Sequence, residues 1–540
     1  MTMPQALPSS IFKTYAISNI AYKKKCQLLI LLCVLLIGVI FQRGLQLGLV
    51  ESVDGNRIRY HAIPVAVSVL YHGHPHDYTA LREVALPFQG ADSVKKYLAN
   101  SIQKKIDKRD VYFWVADDKG SADFVIAAFK LFGPKLQSLY LFWFVCLLVT
   151  SALFVAGFKG RLWCLGLLGL TLTGIYTAVS TLPLANEAIF LNAQGLGKGP
   201  QSAVSIYEIR TFDVLGMIAV VHICLFAMRR SWRSSGWQIT VLLGQVGFFF
   251  FLYHARSSLG WQLVAMVSFL CLVFTYRLWR SREKQVKKLP LLIQPVFVLA
   301  ILILASVTLS IYKHTAYNTR YFQDMGVRTF WHNALMGINE RGLAQTYKLA
   351  VSDFDAAAAV IAYSAQGTCA TSVAKIDPQG LLNSLGGYGE KDWFAYEDCA
   401  KKLYFSLWKK HSFRMAYNYL VIKPQITLAA VLSVSRSAHA TLSEGVRHQL
   451  SVGWHPLTGT PLAFALVILL FVNKALYKRR GLLFVLLAVL LVASLIPSML
   501  FYSVVLTLGG FFVTLTILSY LLILIGVRSA GRWLYATPAR

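Results

Sequence analysis

About ten apolar stretches run along the chain, each close to the 20 residues that a helix needs to cross the hydrocarbon core of a bilayer. Their approximate limits are 26–43, 138–157, 162–181, 211–228, 237–254, 260–278, 290–312, 459–476, 481–500 and 503–526. Only 14% of the residues are charged, against about 25% in soluble domains, which excludes the soluble globular and disordered classes. The sequence therefore predicts an all-α polytopic membrane protein with about ten transmembrane helices.

The first stretch resembles a signal peptide only in part. It follows Lys23, Lys24 and Lys25, but its apolar run ends in Phe41-Gln42-Arg43-Gly44 without a cleavage site of small residues. We therefore expect a retained helix.

The net charge of +29 would suggest a nucleic-acid partner if it lay on one folded face. Instead, the short segments that lie inside if the N-terminus is cytoplasmic contain 22 Lys and Arg residues and one acid, Glu283, and so carry +21 of the net charge. This asymmetry follows the positive-inside rule. It predicts a multi-pass protein of the inner (cytoplasmic) membrane with both termini in the cytoplasm, the lipid bilayer as its partner and no nucleic acid.

Two long segments would lie outside and form a mainly helical domain on the outer face, so we expect any chemistry there. The predicted divisions are a cytoplasmic N-terminus at 1–26, a seven-helix module at 27–312 that includes an extracytoplasmic loop at 43–136, a large extracytoplasmic loop at 313–458, a three-helix segment at 459–526 and a cytoplasmic tail at 527–540.

Three histidines in the first loop alternate with other residues. His72, His74 and His76 would share one side of an extended segment, where a divalent metal could bind them with Asp77 as a fourth ligand. Gly73 and Pro75 favour a solvated turn equally well. No other cofactor is indicated.

The densest acidic feature follows in the same loop. Asp117 and Asp118 come just before Gly120 and the second apolar stretch, which places them at the membrane surface. Either carboxylate could cap the helix that begins near Ser121, but a helix needs only one capping side chain. A functional role for at least one is the alternative interpretation, with Asp54, soon after the first span, as another candidate.

Candidate substrate-binding residues lie in the second loop. Trp331, His332 and Asn333 could hold a sugar by stacking and hydrogen bonds, or could anchor the loop in the membrane interface. Cations and a Gly-rich turn supply further candidates. These are Lys313, Arg320 and Lys423 for a lipid phosphate, and Tyr388 in the turn.

The second loop also has a helical pattern and two cysteines. Residues from about 340 to 364 and from Asp392 to Lys410 are predicted helices, the latter with an apolar stripe typical of a core. Six cysteines lie in or beside apolar stretches, whereas Cys369 and Cys399 lie in this loop. In an oxidising compartment they could form a disulfide; two buried thiols are the alternative.

The topology, with one long loop after the first span and another after the seventh, resembles that of the bacterial GT-C glycosyltransferases, integral-membrane enzymes that use polyprenyl-phosphate-linked sugars. The resemblance covers roughly residues 1–460. At residue level it rests on the Asp117-Asp118 pair and on Phe129-Lys130-Leu131-Phe132-Gly133, which looks like the stretch before the second span in many members.

The resemblance implies that a first-loop acid is the general base and that basic residues of the later loop hold the donor phosphate. Family acids usually lie soon after the first span, so Asp54 and the Asp117-Asp118 pair are alternatives. The implied activity is sugar transfer from a polyprenyl-phosphate donor to an envelope glycan, lipid or protein. A non-catalytic scaffold that binds envelope-assembly proteins, or a transporter, are the competing interpretations.

Overall fold

The computed structural model describes residues 9–46, 66, 70, 120–193, 212–229, 236–283, 289–316, 330–349, 353–378, 390–428, 460–500 and 508–536. Within these ranges the chain forms helices joined by turns, and no strands. The main helices are α1 (Ser9–Gln46), α2 (Gly120–Phe132), α3 (Leu136–Phe158), α4 (Leu162–Ala193), α5 (Phe212–Ala227), α6 (Gly236–Ala255), α7 (Gly260–Glu283), α8 (Leu289–Ala316), α9 (Phe330–Met336), α10 (Arg341–Tyr347), α11 (Asp353–Tyr363), α12 (Thr371–Ala374), α13 (Glu390–Lys410), α14 (Ser412–Tyr417), α15 (Thr460–Tyr477), α16 (Arg480–Leu500) and α17 (Leu508–Ala536).

Eight of the helices in the described ranges are long and apolar enough to cross a membrane, namely α1, α3, α4, α6, α7, α8, α16 and α17. Two further predicted spans coincide with shorter apolar helices, Phe212–Ala227 and Phe464–Tyr477. The prediction of a polytopic all-helical membrane protein is therefore confirmed, because apolar length is a local property of the sequence.

Helix α4 is the centre of the bundle. Among the membrane-length helices described, its apolar segment Leu162–Val179 is the most buried, at 83% of its residues. Helices α1, α15 and α17 pack around it. Small residues allow this close packing: a Cβ atom at Gly166 or Gly169 would meet Val472 or Ile468 of α15 within 3 Å. Glycines at helix contacts are the usual means of close packing in membranes, where water does not drive helices together.

The bundle has two distinct ends. We call the first the loop end. Helices α6, α8 and α16 have their C-termini there, and Asp123 contacts His254 and Tyr312 at this end. At the second, the turn end, short turns join α3 to α4 and α15 to α16. The charge pattern predicts that the turn end faces the cytoplasm.

A smaller helical unit, residues 330–428 as far as they are described, has its own core. We call it the loop unit. Its buried residues come from α9 to α14 and include Leu335, Leu343, Val360, Tyr396 and Leu403. Helix α13 spans Glu390–Lys410, which confirms the helix predicted over this segment, and Ala400 and Leu407 of its apolar stripe are fully buried.

The loop unit contains a disulfide between Cys369 and Cys399, the pair suggested by the sequence, with Cα atoms 5.6 Å apart. Because the bond closes a loop with a sequence separation of 30, its removal should cost about 2–4 kcal/mol through the greater freedom of the unfolded chain. We expect Cys369→Ser with Cys399→Ser to unfold at a lower temperature in detergent. Cys271→Ser, which removes an exposed free thiol, is the control. An unchanged midpoint in the double variant would contradict the prediction.

Helix α14 and the π-helical segment after it, Asn418–Ile422, have an exposed apolar side. Phe413 and Leu420 are 81% and 76% exposed, while Met415 and Asn418 on the opposite side are fully buried. A Cβ at Gly337 would lie 3.3 Å from the Leu500 carbonyl oxygen, so the unit meets the bundle at the loop end of α16. An amphipathic segment at this position has the pattern of helices that lie in a membrane interface.

Candidate functional site

An apolar groove lies between α6 and α8 and ends at the loop end of the bundle. Its volume is about 650 Å³. From Leu243 to His254 on α6, and from Ile301 to Tyr312 on α8, eleven residue steps correspond to roughly 16 Å of helix. The walls are mainly apolar and include Val246, Gly247, Phe250, Leu304, Ala305 and Leu309. The groove therefore suits a hydrocarbon chain better than a polar solute.

A hydrogen-bonded acid–histidine pair closes the loop end of this groove. His254 Nε2 lies 2.9 Å from Asp123 Oδ2, and the Tyr312 hydroxyl lies 3.5 Å from the same oxygen. The His254 and Tyr312 rings meet edge-on at a centroid distance of 5.6 Å. Both polar side chains of the pair are largely buried, at 5% exposure for His254 and 19% for Asp123. Their interaction is therefore only weakly screened by solvent.

Local packing fixes Asp123 in this position. The next residue, Phe124, is fully buried and contacts the rings of Phe142 on α3 and Phe212 on α5 at centroid distances of 4.7 and 4.8 Å. Gly120 begins α2, and a Cβ there would lie 2.2 Å from the His254 carbonyl oxygen. Only glycine permits this approach, so the sequence Gly120-Ser121-Ala122-Asp123-Phe124 brings the carboxylate to the end of α6.

A second buried polar cluster ties neighbouring helix ends together. The Asp213 carboxylate accepts a hydrogen bond from the Gly510 amide at 2.8 Å, and the Gln262 side-chain amide donates to the Asp213 carbonyl at 2.5 Å. Arg256, two residues after His254, is 7% exposed and within electrostatic reach of Asp213. These contacts hold α5, α7 and α17 together beside the end of α6.

Among the sequence-predicted residues, Lys313 lies beside the groove. It follows Tyr312 in the last turn of α8, and its ammonium group is 5.9 Å from the centroid of the Tyr253 ring. The structure therefore brings Lys313 to the same helix ends as Asp123 and His254.

Trp331, His332 and Asn333 lie on α9 within the loop unit. Trp331 packs against the rings of Tyr404 and Phe405, and His332, 3% exposed, has Nδ1 at 2.6 Å from the Tyr396 hydroxyl. The buried Glu397 carboxylate accepts hydrogen bonds from the backbone amides of Trp331 and His332 at 3.0 and 3.2 Å. These contacts place both side chains in the packing of the unit, which differs from the stacking surface for a sugar that the sequence suggests.

Lys423 lies where the loop unit meets α16. Its side chain is 4% exposed and its ammonium group is 5.8 Å from the Tyr419 ring centroid. Gly337 makes room for it, because a Cβ there would be 2.7 Å from Lys423 Nζ. Burial lowers the pKa of Lys423 to about 7. This lysine therefore faces the interior of the protein, whereas the sequence suggests a contact with a lipid phosphate.

The lowered pKa of Lys423 makes stability depend on pH. In the unfolded chain this lysine keeps its proton up to about pH 10.5, and in the folded protein up to about pH 7. Between these values the unfolded state binds more protons, so the free energy of unfolding increases with pH, by at most about 1.4 kcal/mol per pH unit. We expect the thermal midpoint in detergent to increase relative to Lys423→Met as the pH is raised from 7 to 10. Parallel curves for the two proteins would contradict this.

The remaining predicted residues lie outside the described part of the chain. They are Asp54, Asp117 and Asp118 as candidate bases, Arg320 and Tyr388 as substrate ligands, and His72, His74, His76 and Asp77 as metal ligands. Within the described ranges, no group of three or more His, Cys, Asp or Glu side chains could hold a metal ion.

In comparisons with known proteins, no protein-family model matches the chain, and neither a curated protein nor a solved structure matches it. The function is therefore inferred from the residues of this chain.

The Asp123–His254 pair was not predicted from the sequence. A signal was present, because His254 ends the strongly apolar helix α6 and an ionisable residue in a membrane-length segment is a candidate functional residue by default. Its partner is 131 residues away in the sequence. Nothing local to either residue indicates the pairing.

Proposed function

We propose that the protein is a membrane glycosyltransferase of the GT-C type that transfers a sugar from a polyprenyl-phosphate donor to an envelope glycan, lipid or protein acceptor at the extracytoplasmic face. The observation that carries the proposal is the apolar groove with the Asp123–His254 pair at its loop end. A lipid-linked donor needs an apolar channel for its chain and a polar site at headgroup depth. The groove would hold the chain, and the pair, which lines the end of the same groove, would provide the polar site.

The pair supports acid–base chemistry at that depth. An acceptor hydroxyl attacks the anomeric carbon of the donor, a new carbon–oxygen bond forms, and the bond to the phosphate breaks with its electron pair on the leaving polyprenyl phosphate. Asp123, the more exposed member of the pair, would take the hydroxyl proton, while the contact with His254 Nε2 orients its carboxylate. Asp117, Asp118 and Asp54 remain alternative bases.

One cation near the groove suits the leaving phosphate. Lys313 follows Tyr312, a residue of the groove wall, in the last turn of α8. Charge-assisted hydrogen bonds to a developing phosphate lower the barrier because the negative charge grows in the transition state. In addition, the segments predicted to lie in the cytoplasm are too short to bind a nucleotide sugar, which favours a donor delivered through the membrane.

Filling the groove tests the proposal. A Cβ at Gly247, in the groove wall, meets no atom within 4 Å, so Gly247→Phe should fold normally and occupy space for the lipid chain. We expect Gly247→Phe to reduce crosslinking to a photoreactive polyprenyl phosphate and sugar transfer by about ten-fold or more, because the ring displaces several methylene contacts worth about 0.8 kcal/mol each.

Gly236→Phe is the matched control, because Gly236 lies on the same helix and its Cβ position is equally open. It should crosslink and transfer as the wild type does. Equal crosslinking and transfer in both variants would contradict the proposed donor groove, and a wild-type protein that neither binds the lipid nor transfers sugar would favour a scaffold.

A further inference from the structure

Three arginines surround the short turn between α3 and α4 at the turn end of the bundle. Arg161 lies in the turn, Arg229 follows α5, and Arg479 lies between α15 and α16. All three charges are within electrostatic reach of the Cys164 thiol in the first turn of α4. They come from three separate parts of the chain, so their convergence results from helix packing.

The turn itself is held rigidly. The Tyr22 hydroxyl on α1 donates a hydrogen bond to the Gly160 carbonyl oxygen and accepts one from the Leu162 amide, both at 3.2 Å. The amide of Arg161 donates to the Phe158 carbonyl oxygen at 2.8 Å. The backbone that carries Arg161 is thus fixed before any ligand binds.

The Arg229 guanidinium is buried and makes its hydrogen bonds to neutral groups. It is 6% exposed; its guanidinium donates to the Gly157 carbonyl oxygen at 3.0 Å and to the Gln238 side-chain oxygen at 2.6 Å. The guanidinium carbon also lies 4.9 Å from the Phe158 ring centroid and 4.6 Å from that of Phe226. Its Nε atom is buried and has no hydrogen-bond partner among the described residues. Neutral acceptors therefore hold the guanidinium in place.

The positive charges of neighbouring arginines make it less favourable to bury the charged Arg229 side chain. The pKa of Arg229 is lowered to about 10, mainly by burial and to a smaller extent by the positive charge of Arg161. Arg479 lies over the Trp163 ring at 5.7 Å, and no salt bridge to Arg161, Arg229 or Arg479 occurs in the described ranges. An anion bound between the arginines would relieve their repulsion.

We propose that Arg161, Arg229 and Arg479 form a binding site for the phosphate group of an anionic lipid in the leaflet at the turn end. Guanidinium groups match phosphate geometry through paired hydrogen bonds. A lipid is the favoured source because Trp163 and the half-exposed Tyr22 border the site, as aromatic residues do at membrane interfaces. The site is at the opposite end of the bundle from the Asp123–His254 pair and does not depend on its function.

The positive-inside rule alone does not require this convergence, because it concerns the number of charges and not their grouping. Arg280 illustrates the difference. It lies at the same end of the bundle, on α7, and donates a hydrogen bond to the exposed Tyr276 hydroxyl at 2.9 Å. It therefore provides a matched control with the same residue type and the same loss of charge.

The experiment measures lipid binding to the full chain in detergent by native mass spectrometry and thermal shift. The probes are cardiolipin, phosphatidylcholine and inorganic pyrophosphate, and the variants are Arg161→Gln and Arg280→Gln. Arg229 is left unchanged, because its removal would also break packing contacts. We expect cardiolipin, and neither other probe, to stabilise the wild type and Arg280→Gln. Arg161→Gln should bind cardiolipin about ten-fold more weakly, the loss expected for one charge-assisted hydrogen bond.

Equal cardiolipin affinity in Arg161→Gln and Arg280→Gln would overturn the proposal, because the affinity would then depend only on the overall charge at this end of the bundle. Stabilisation by pyrophosphate without an effect of cardiolipin would overturn the assignment of the ligand as a lipid. Unchanged midpoints of the two variants without lipid would establish that a difference in affinity does not arise from misfolding.

Discussion

Asp123→Asn is expected to reduce sugar transfer by roughly 10²- to 10⁴-fold, the contribution of a positioned acid–base group, while the protein remains folded. Asparagine keeps the size of the side chain and can still contact His254 Nε2, which lies 2.9 Å from the carboxylate. It removes the carboxylate that would take the proton of the acceptor hydroxyl. The measurement is transfer from a polyprenyl-phosphate sugar by purified protein in liposomes.

Asp398→Asn is the control for Asp123→Asn. Asp398 is 57% exposed and pairs with Lys402 one helical turn away, an arrangement that contributes little in water, so this variant should keep wild-type activity. The same assay on Asp54→Asn, Asp117→Asn and Asp118→Asn compares the alternative bases. Full activity of Asp123→Asn together with loss in Asp118→Asn would reject the role of Asp123 and favour the acidic pair before α2.

Gly120→Ala is expected to impair both stability and transfer. The added methyl group would lie 2.2 Å from the His254 carbonyl oxygen and 2.6 Å from the Ala255 amide nitrogen. Both atoms belong to the backbone and cannot rotate away, so α2 must separate from the end of α6. Overpacking of this kind costs about 1–3 kcal/mol. The separation would lengthen the contact between Asp123 and His254, and transfer should fall by at least about ten-fold.

Thermal midpoints and transfer rates of the same preparation check the Gly120 prediction. Gly38→Ala is the matched control, because a Cβ at Gly38 meets no atom within 4 Å and alanine is the better helix former. It should be as stable as the wild type or slightly more so. A normal midpoint with normal transfer in Gly120→Ala would mean that the approach of α2 to α6 is not needed.

Structural features that depend only on neighbouring residues were predictable from the sequence. The apolar stretches coincide with eight membrane-length helices and two shorter ones, and the apolar stripe over Asp392–Lys410 coincides with the buried side of α13. Both depend on residues within one or two helical turns of each other, so the sequence contains the whole signal.

The contacts of other candidate residues were not predictable from the sequence, because their partners are distant in the chain. Trp331 and His332 look like surface residues for a sugar when only their neighbours are considered. In the structure, Glu397 binds their backbone amides and Tyr396 contacts the imidazole, and both partners lie more than 60 residues downstream. Lys423 likewise turns inward because Gly337, 86 residues earlier, leaves space for its ammonium group.

The sequence by itself determined that this chain is a helical membrane protein, since the cost of exposing charge or bare backbone to lipid acts on each segment separately. The tertiary structure decided which polar groups meet. The Asp123–His254 pair, the groove below it and the three arginines at the turn end each combine side chains from different helices. Their positions depend on how closely the helices approach, which glycines such as Gly120 set through contacts that no local pattern contains.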